Sequence, residues 1–172
     1  MMNLARLKNQ VLSKLLSHFP LLLKYFISSY KPHESHDVPW TPVTKPLSES
    51  RVALVTTSGV HHKDQEPFNM SDKKGDPSFR VIDISRPFSS LMITHDYYDH
   101  SDAERDINIV FPVERLTEFK NEGLIGEIAD HHYAFMGHID GPHINALIND
   151  TAPAVAQRLK DDRVDAVILT PA

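Results

Sequence analysis

The sequence predicts an α/β fold: a Rossmann-like layered domain with a mostly parallel sheet, preceded by an N-terminal helical arm. Three observations carry this expectation. The runs Val52-Ala53-Leu54-Val55-Thr56-Thr57 and Val164-Asp165-Ala166-Val167-Ile168-Leu169 are short and apolar without clean alternation, as expected of strands buried on both faces of a parallel sheet. The second run follows a helix-like segment directly, which is the order of a crossover unit joining parallel strands. Residues 3–18 repeat apolar side chains at helical spacing.

Residues 1–30 form the arm. Leu4, Leu7, Val11 and Leu15 share one helix face, with Lys8 and Lys14 elsewhere, and Pro20 interrupts before a second helical piece over Leu21–Tyr30. Such an arm is expected to pack on the body or on a partner subunit. The alternative is a basic helix lying on a membrane surface through residues 3–18. Residues 31–50 are a Pro-rich linker in which Pro32, Pro39, Pro42 and Pro46 forbid continuous helix, and Trp40 is expected to pin it to the body. Residues 51–172 make the α/β domain. Its first strand is closed by Ser58-Gly59, and residues 60–79 are a polar, turn-rich loop. Strands follow over Phe79–Ile84 and Leu91–Thr94, then a helix over Glu114–Asn121 between Pro112 and Gly123. Tyr133–Ile139 is a further strand and Asn145–Asn149 opens a helical region. A last helix is capped by Thr151, has Pro153 in its first turn, and ends near Asp161 before the final strand.

Composition narrows the function. The 172 residues are 41% hydrophobic and 24% charged, as in a globular domain, and the net charge of −5 argues against a general nucleic-acid binder. Charge is segregated: residues 1–33 hold Arg6, Lys8, Lys14, Lys24 and Lys31 and no acid, so the remainder carries −10. With no cysteine, the polypeptide offers no disulfide, zinc–thiolate, iron–sulfur or thiol-nucleophile chemistry of its own. The apolar run Leu21–Ile27 is short and interrupted by Lys24, too little for a bilayer span, and no small-residue cleavage site follows it. A cytoplasmic location is expected. Neither a dinucleotide fingerprint nor a phosphate-binding Gly-Lys-Ser/Thr loop is present.

Eight of the eleven histidines lie between His61 and His143. The densest cluster is Thr94-His95-Asp96-Tyr97-Tyr98-Asp99-His100-Ser101-Asp102, where imidazoles can relay protons and carboxylates can orient them or bind metal. It is similar to the His-x-His-x-Asp-His motif of metallo-β-lactamase-type hydrolases, so a metal-dependent hydrolase using His95, Asp99 and His100 is one reading. Tyr97, however, stands where that motif has its middle histidine. The plain alternative is a polar loop in which Asp99 and Asp102 cap a turn. His61-His62 reads as a surface loop or as an anion or substrate contact at a strand's carboxyl end. His131-His132 and His138 read as strand-end groups satisfying backbone. In open α/β sheets ligands sit outside the carboxyl ends of strands, which singles out Thr56–Val60 and Thr170–Ala172.

Several segments, taken in order, resemble one family. They are Arg51–Gly59, Gln65–Phe68, Gly75–Arg80, His95 with Asp99-His100-Ser101, Asp106–Asn108 through Phe111-Pro112, Glu114–Leu116, Gly123–Gly126, Phe135–Gly137 and Val164–Pro171. Together they resemble the selenoprotein B family, the B-type subunits of glycine, sarcosine and betaine reductases and the related D-proline reductase subunit, over about residues 38–172. The resemblance implies an oxidoreductase domain in which a low-pKa selenolate or thiolate attacks an activated substrate carbon, a thiol resolves the adduct, and a C–N bond is reductively cleaved. Strand topology would then put His95, Asp99 and His100 at the crevice outside the strand ends as catalytic supports that supply protons, and Ser58, Gly59 and His61 there as substrate-binding residues, with no metal. The resemblance also implies a small-molecule substrate, other reductase subunits or a thioredoxin-like electron donor as partners, and a pyruvoyl cofactor, if any, on a partner subunit rather than in this chain. The departure lies at the final strand, which in the family leads into selenocysteine or cysteine. A selenocysteine codon is also a stop codon, so the expectation is a domain incomplete at its C-terminus and lacking its redox residue as written. The competing class is a non-catalytic scaffold or binding domain.

Overall fold

The computed structural model of the protein describes residues 4–19, 21, 24, 28 and 40–171. The second helical piece expected over Leu21–Tyr30 and the linker up to Pro39 therefore lie largely outside the described residues. Strand β1 (Arg51–Thr56) is the centre of the main sheet. β7 (Ala166–Thr170) runs parallel to it, from Val52 opposite Ala166 to Thr56 opposite Thr170. On the other side β5 (Glu127–Ile128) pairs parallel with the start of β1 and β6 (His131–Ala134) with its end. β3 (Arg80–Asp83) closes this flank antiparallel to β6. β2 (Val60–His62) and β4 (Leu91–Ile93) form a separate antiparallel pair. The architecture is α/β, with a mixed main sheet and few helices: α1 (Leu4–His18), α2 (Val113–Asn121), α3 (Pro142–Ala146) and α4 (Ala152–Asp161).

Alternate residues of β1 feed two cores. Val52 and Leu54 pack with Phe111, Val113 and Leu116 of the α2 region and with Val60 and Leu91 of the small sheet. Ala53 packs with Tyr133, Phe135 and, from α4, Val155 and Leu159. Burial on both faces explains the unalternated apolar run of β1. β7 has the same kind of sequence but stands at the sheet edge, where Val167, Ile168 and Leu169 stay exposed, Leu169 at 72%.

The structure corrects several expectations. The start of the expected 60–79 loop is strand β2, fully buried, because His61 and His62 have their ring nitrogens satisfied inside the protein. The strand expected over Tyr133–Ile139 begins earlier, at His131, and is preceded by the two-residue β5. Thr151 is not a cap: its backbone is helical and its side chain makes no capping bond. Instead α3 continues through one π turn (Leu147–Thr151) into α4. Pro153 accounts for the widened turn, since it lacks an N–H and crowds the carbonyl four residues back. Trp40 does not pin the linker; it is 87% exposed.

The arm differs most from expectation. α1 forms where the periodicity places it, but its apolar face is not packed on the body: Leu4, Leu7, Val11, Leu12 and Leu15 are all exposed, with Leu7 and Val11 edging a cleft against the body. The opposite face makes the contact. Arg6 Nε and Nη2 donate to the two carboxylate oxygens of Asp96 at 2.7 and 3.2 Å, and Gln10 Nε2 donates to the same carboxylate at 2.9 Å. Asp96 itself is only 1% exposed. A buried carboxylate needs such partners, which is why a polar helix face is drawn onto the body.

Candidate functional site

The carboxyl ends of β1 and β7 meet in a small hydroxyl cluster. Thr56 Oγ1 donates to the Val110 carbonyl at 2.9 Å and lies 2.8 Å from Ser58 Oγ; Thr170 Oγ1 donates to the same Val110 carbonyl at 2.9 Å. Thr57 N–H continues the β1–β7 ladder to the Thr170 carbonyl at 3.1 Å. Ser58 is completely buried. Gly59, at φ 74°, donates its N–H to the Phe135 carbonyl and accepts from Thr94 N–H. A Cβ there would sit 2.5 Å from the Thr94 carbonyl oxygen, so the close crossing of these chains requires glycine.

The segment after β4 lies against this tip. Thr94 Oγ1 is 2.8 Å from His61 Nε2, while His61 Nδ1 donates to the His62 carbonyl at 2.8 Å. The carbonyl acceptor puts a proton on Nδ1, and burial pushes the His61 pKa down, which favours the neutral ring with Thr94 donating to Nε2. His95 accepts the Tyr97 N–H on Nδ1 at 3.0 Å and packs edge-on against Tyr98. Burial lowers its pKa to about 4, helped by His100. Tyr98 donates its hydroxyl to the Ser58 carbonyl at 3.1 Å and is pushed well above the usual phenol range by burial. Asp99 accepts from both the backbone N–H and the hydroxyl of Ser101, which hold its carboxyl below its ordinary range. His100 Nε2 donates to the His95 carbonyl at 3.0 Å, and its Nδ1 faces Glu104 Oε1 at 2.8 Å.

The structure thus gathers all six sequence candidates into one hydrogen-bonded layer, but not at one depth. Ser58, Gly59, His61 and His95 are buried behind the tip. Asp99 and His100 open onto a cleft of about 300 Å³ whose other wall is α1, through Leu7, Gln10, Val11, Ser13 and Lys14. Two contributors were not singled out from sequence. Glu104 sits four residues after His100, a spacing that one helical turn brings together, so that signal was present. Asp96 with Arg6 spans 90 residues and leaves no local signal. Among the described residues no three histidine, aspartate or glutamate side chains converge to hold a metal ion, and the His95 ring already accepts a backbone N–H. The ligand set of the hydrolase reading is not assembled.

Chemically, the cleft offers an imidazole–carboxylate pair that can hold or pass a proton, beside a tip whose hydroxyls are fully engaged. In comparisons with known proteins, the profile described as glycine/sarcosine/betaine reductase selenoprotein B matches residues 12–172. The D-proline reductase subunit gamma of Acetoanaerobium sticklandii is 41% identical over 131 residues, covering 76% of this chain and 52% of that protein. The glycine reductase complex component B subunit gamma of Carboxydothermus hydrogenoformans is 36% identical over 137 residues, covering 77% and 30%. The sarcosine reductase complex component B subunit beta of Peptoclostridium acidaminophilum is 27% identical over 137 residues, with the same shares. The chain spans about half the length of the first of these relatives and about a third of the others. No solved structure matches. The match over nearly the whole chain, supported by the identity to the D-proline reductase subunit, places this protein in the selenoprotein B family.

Proposed function

We propose that this chain is the B-type domain of a reductase that cleaves a C–N bond of a small amine or amino acid, working with other subunits of a complex. The observation that supports it best is the family match to residues 12–172, combined with the chain of contacts from His100 through His95 and Tyr98 to the Ser58 carbonyl just after β1. The redox nucleophile is a selenolate or thiolate, and since these 172 residues contain no cysteine, it comes from outside them. In this reading the His100–Glu104 pair relays a proton to the departing amine through its exposed end, Glu104, since both His100 ring nitrogens are engaged, and Asp99 shapes the turn that presents the pair. A pyruvoyl group on a partner subunit would supply an electrophilic carbonyl for the substrate amine. The cleft's imidazole, carboxylates and Lys14 suit holding a charged small molecule next to such a group. A thioredoxin-like dithiol is the electron donor, and the complex works in the cytoplasm. The three parallel pairings around β1 support a Rossmann-like, mostly parallel reading of the fold.

The test is reductant-dependent turnover of candidate amines by the 172-residue chain and by a chain extended with a cysteine or selenocysteine after Ala172, alongside sequencing of the transcript past that codon. Turnover only in the extended chain, with an in-frame thiol or selenocysteine codon, supports the reading. Equal turnover by the short chain sinks it. A second reading, a non-catalytic scaffold, is favoured by one observation: Ser58, His61 and His95 are buried and bonded internally. Binding of partner subunits without turnover in either form would select it.

A further inference from the structure

We propose that α1 is a docking helix for an anionic phospholipid surface. Its apolar face, Leu4, Leu7, Val11, Leu12 and Leu15, is 37–80% exposed, and it lies opposite the face that holds Asp96. At about 100° per residue, Arg6, Gln10 and Ser13 fall on one side of the helix and Leu4, Leu7, Val11 and Leu15 on the other. Leu7 and Val11 also edge the cleft toward Tyr98 and His100, whereas Leu4, Leu12 and Leu15 do not line it and stay exposed. Lys8 borders the apolar groove, so a cation stands at the rim of the apolar stripe. This is the layout of a helix that sits in an interface with its apolar face down and its lysines among headgroups.

Charge selects the occupant. Residues 1–33 carry five basic residues and no acid, while the remainder of the chain carries −10. A second copy would bring two cationic arms together with no acid on either to pair them, whereas helix pairs normally place opposite charges along their flanks. An anionic bilayer attracts the arm and repels the body, so the arm leads and the body with its cleft stays in water. The sequence beyond the helix adds to this, since Leu21-Leu22-Leu23-Lys24-Tyr25-Phe26-Ile27 is apolar and aromatic with one lysine and no acid. No helix among the described residues is long and apolar enough to cross a membrane, which fits a helix lying flat on the surface.

The experiment is flotation of the full chain with vesicles of phosphatidylcholine alone and of phosphatidylcholine with phosphatidylglycerol in about a two-to-one ratio. Binding to the anionic vesicles is expected to be at least about tenfold tighter, and to weaken at least about threefold on raising salt from about 0.1 to 0.5 M. Leu7→Glu with Val11→Glu is expected to abolish it, and Lys8→Glu to weaken it. Because Leu7 and Val11 are exposed, unfolding midpoints should not move; Leu4→Ser, at the most exposed site of the helix, is the milder second variant. The proposal is overturned if anionic vesicles are not bound, or if both vesicle types bind equally and without salt dependence. It is equally overturned if Leu7→Glu with Val11→Glu disrupts a dimer, or a complex with another subunit, while vesicles are ignored.

Discussion

The arm α1 and the central strand β1 are both apolar in sequence, yet they solve opposite problems. β1 is flanked by strands on both edges and cores on both faces, and its Leu54 and Ala53 are fully buried. α1 holds the body chiefly through the Asp96 carboxylate, with a further Asn9–Tyr97 hydrogen bond, and leaves its leucines exposed. One is secured by apolar burial, which resists salt and is cooperative with the whole fold. The other is secured by charge-assisted hydrogen bonds at the surface, which salt and a single substitution can loosen. Stability should therefore be graded along the chain, with the arm opening locally while the core remains folded.

The largest blow to that contrast should come from the core: Leu54→Ala is expected to lower unfolding free energy by about 2–5 kcal/mol in urea titrations. A loss confined to local opening would show that β1 is not the centre of the cooperative unit. Acid should come next. His95 and His132 have pKa values lowered by burial from 6.5 to about 4, so the unfolded chain takes up protons that the folded chain refuses. Their stabilisation is complete above pH 6.5 and is lost as pH falls through that window, by about 2–3 kcal/mol per ring at pH 4. His132→Gln keeps an acceptor for the Leu54 N–H, which the ring accepts at 2.8 Å, and should flatten the pH dependence of unfolding. An unchanged slope would place the titration elsewhere. In the extended, thiol-bearing chain, His100→Gln should reduce kcat by about 10²-fold with unfolding free energy within about 0.5 kcal/mol of the parent. Full activity would remove His100 from the chemistry.

At the arm the effects should be smaller and local. Arg6→Ala should speed hydrogen exchange in α1 by about tenfold, equivalent to about 1.4 kcal/mol, with the core midpoint unmoved; the partial exposure of Arg6 keeps the effect modest. If the core midpoint fell as well, arm and core would be one unit. Trp40→Ala should change stability by less than about 0.5 kcal/mol, since the ring is exposed.

What could be read in the sequence follows the same divide. β1, α2, α4 and β7 were legible because apolar runs, prolines and a following glycine mark them locally. β2 was not, because two adjacent histidines look polar until their ring nitrogens are seen to be bonded at His62 O, Thr94, Ser90 and Asp83. β5, at two residues, is too short to show a period. The helical period of α1 shows which residues share a face but not what that face touches. The answer depended on Asp96, 90 residues away. At the site, the histidine-rich segment stands out in the sequence by its density of titratable residues. The split between the buried His95 and the cleft-facing His100 depends on tertiary packing alone.

The open edge at β7 has a consequence for handling the molecule. A strand whose outer edge has no strand partner among the described residues, with Val167, Ile168 and Leu169 exposed beside it, is a template for further strands. Pro171, with no N–H to donate, follows it, whereas the Asp165 charge before it is already paired with Lys45 and the Arg51 N–H. The adhesive window is therefore only the five residues of β7. Self-association through it should depend steeply on protein concentration, and one charge at Ile168 should suppress it. Long soluble storage of the purified chain is a matter of that short window rather than of the fold as a whole.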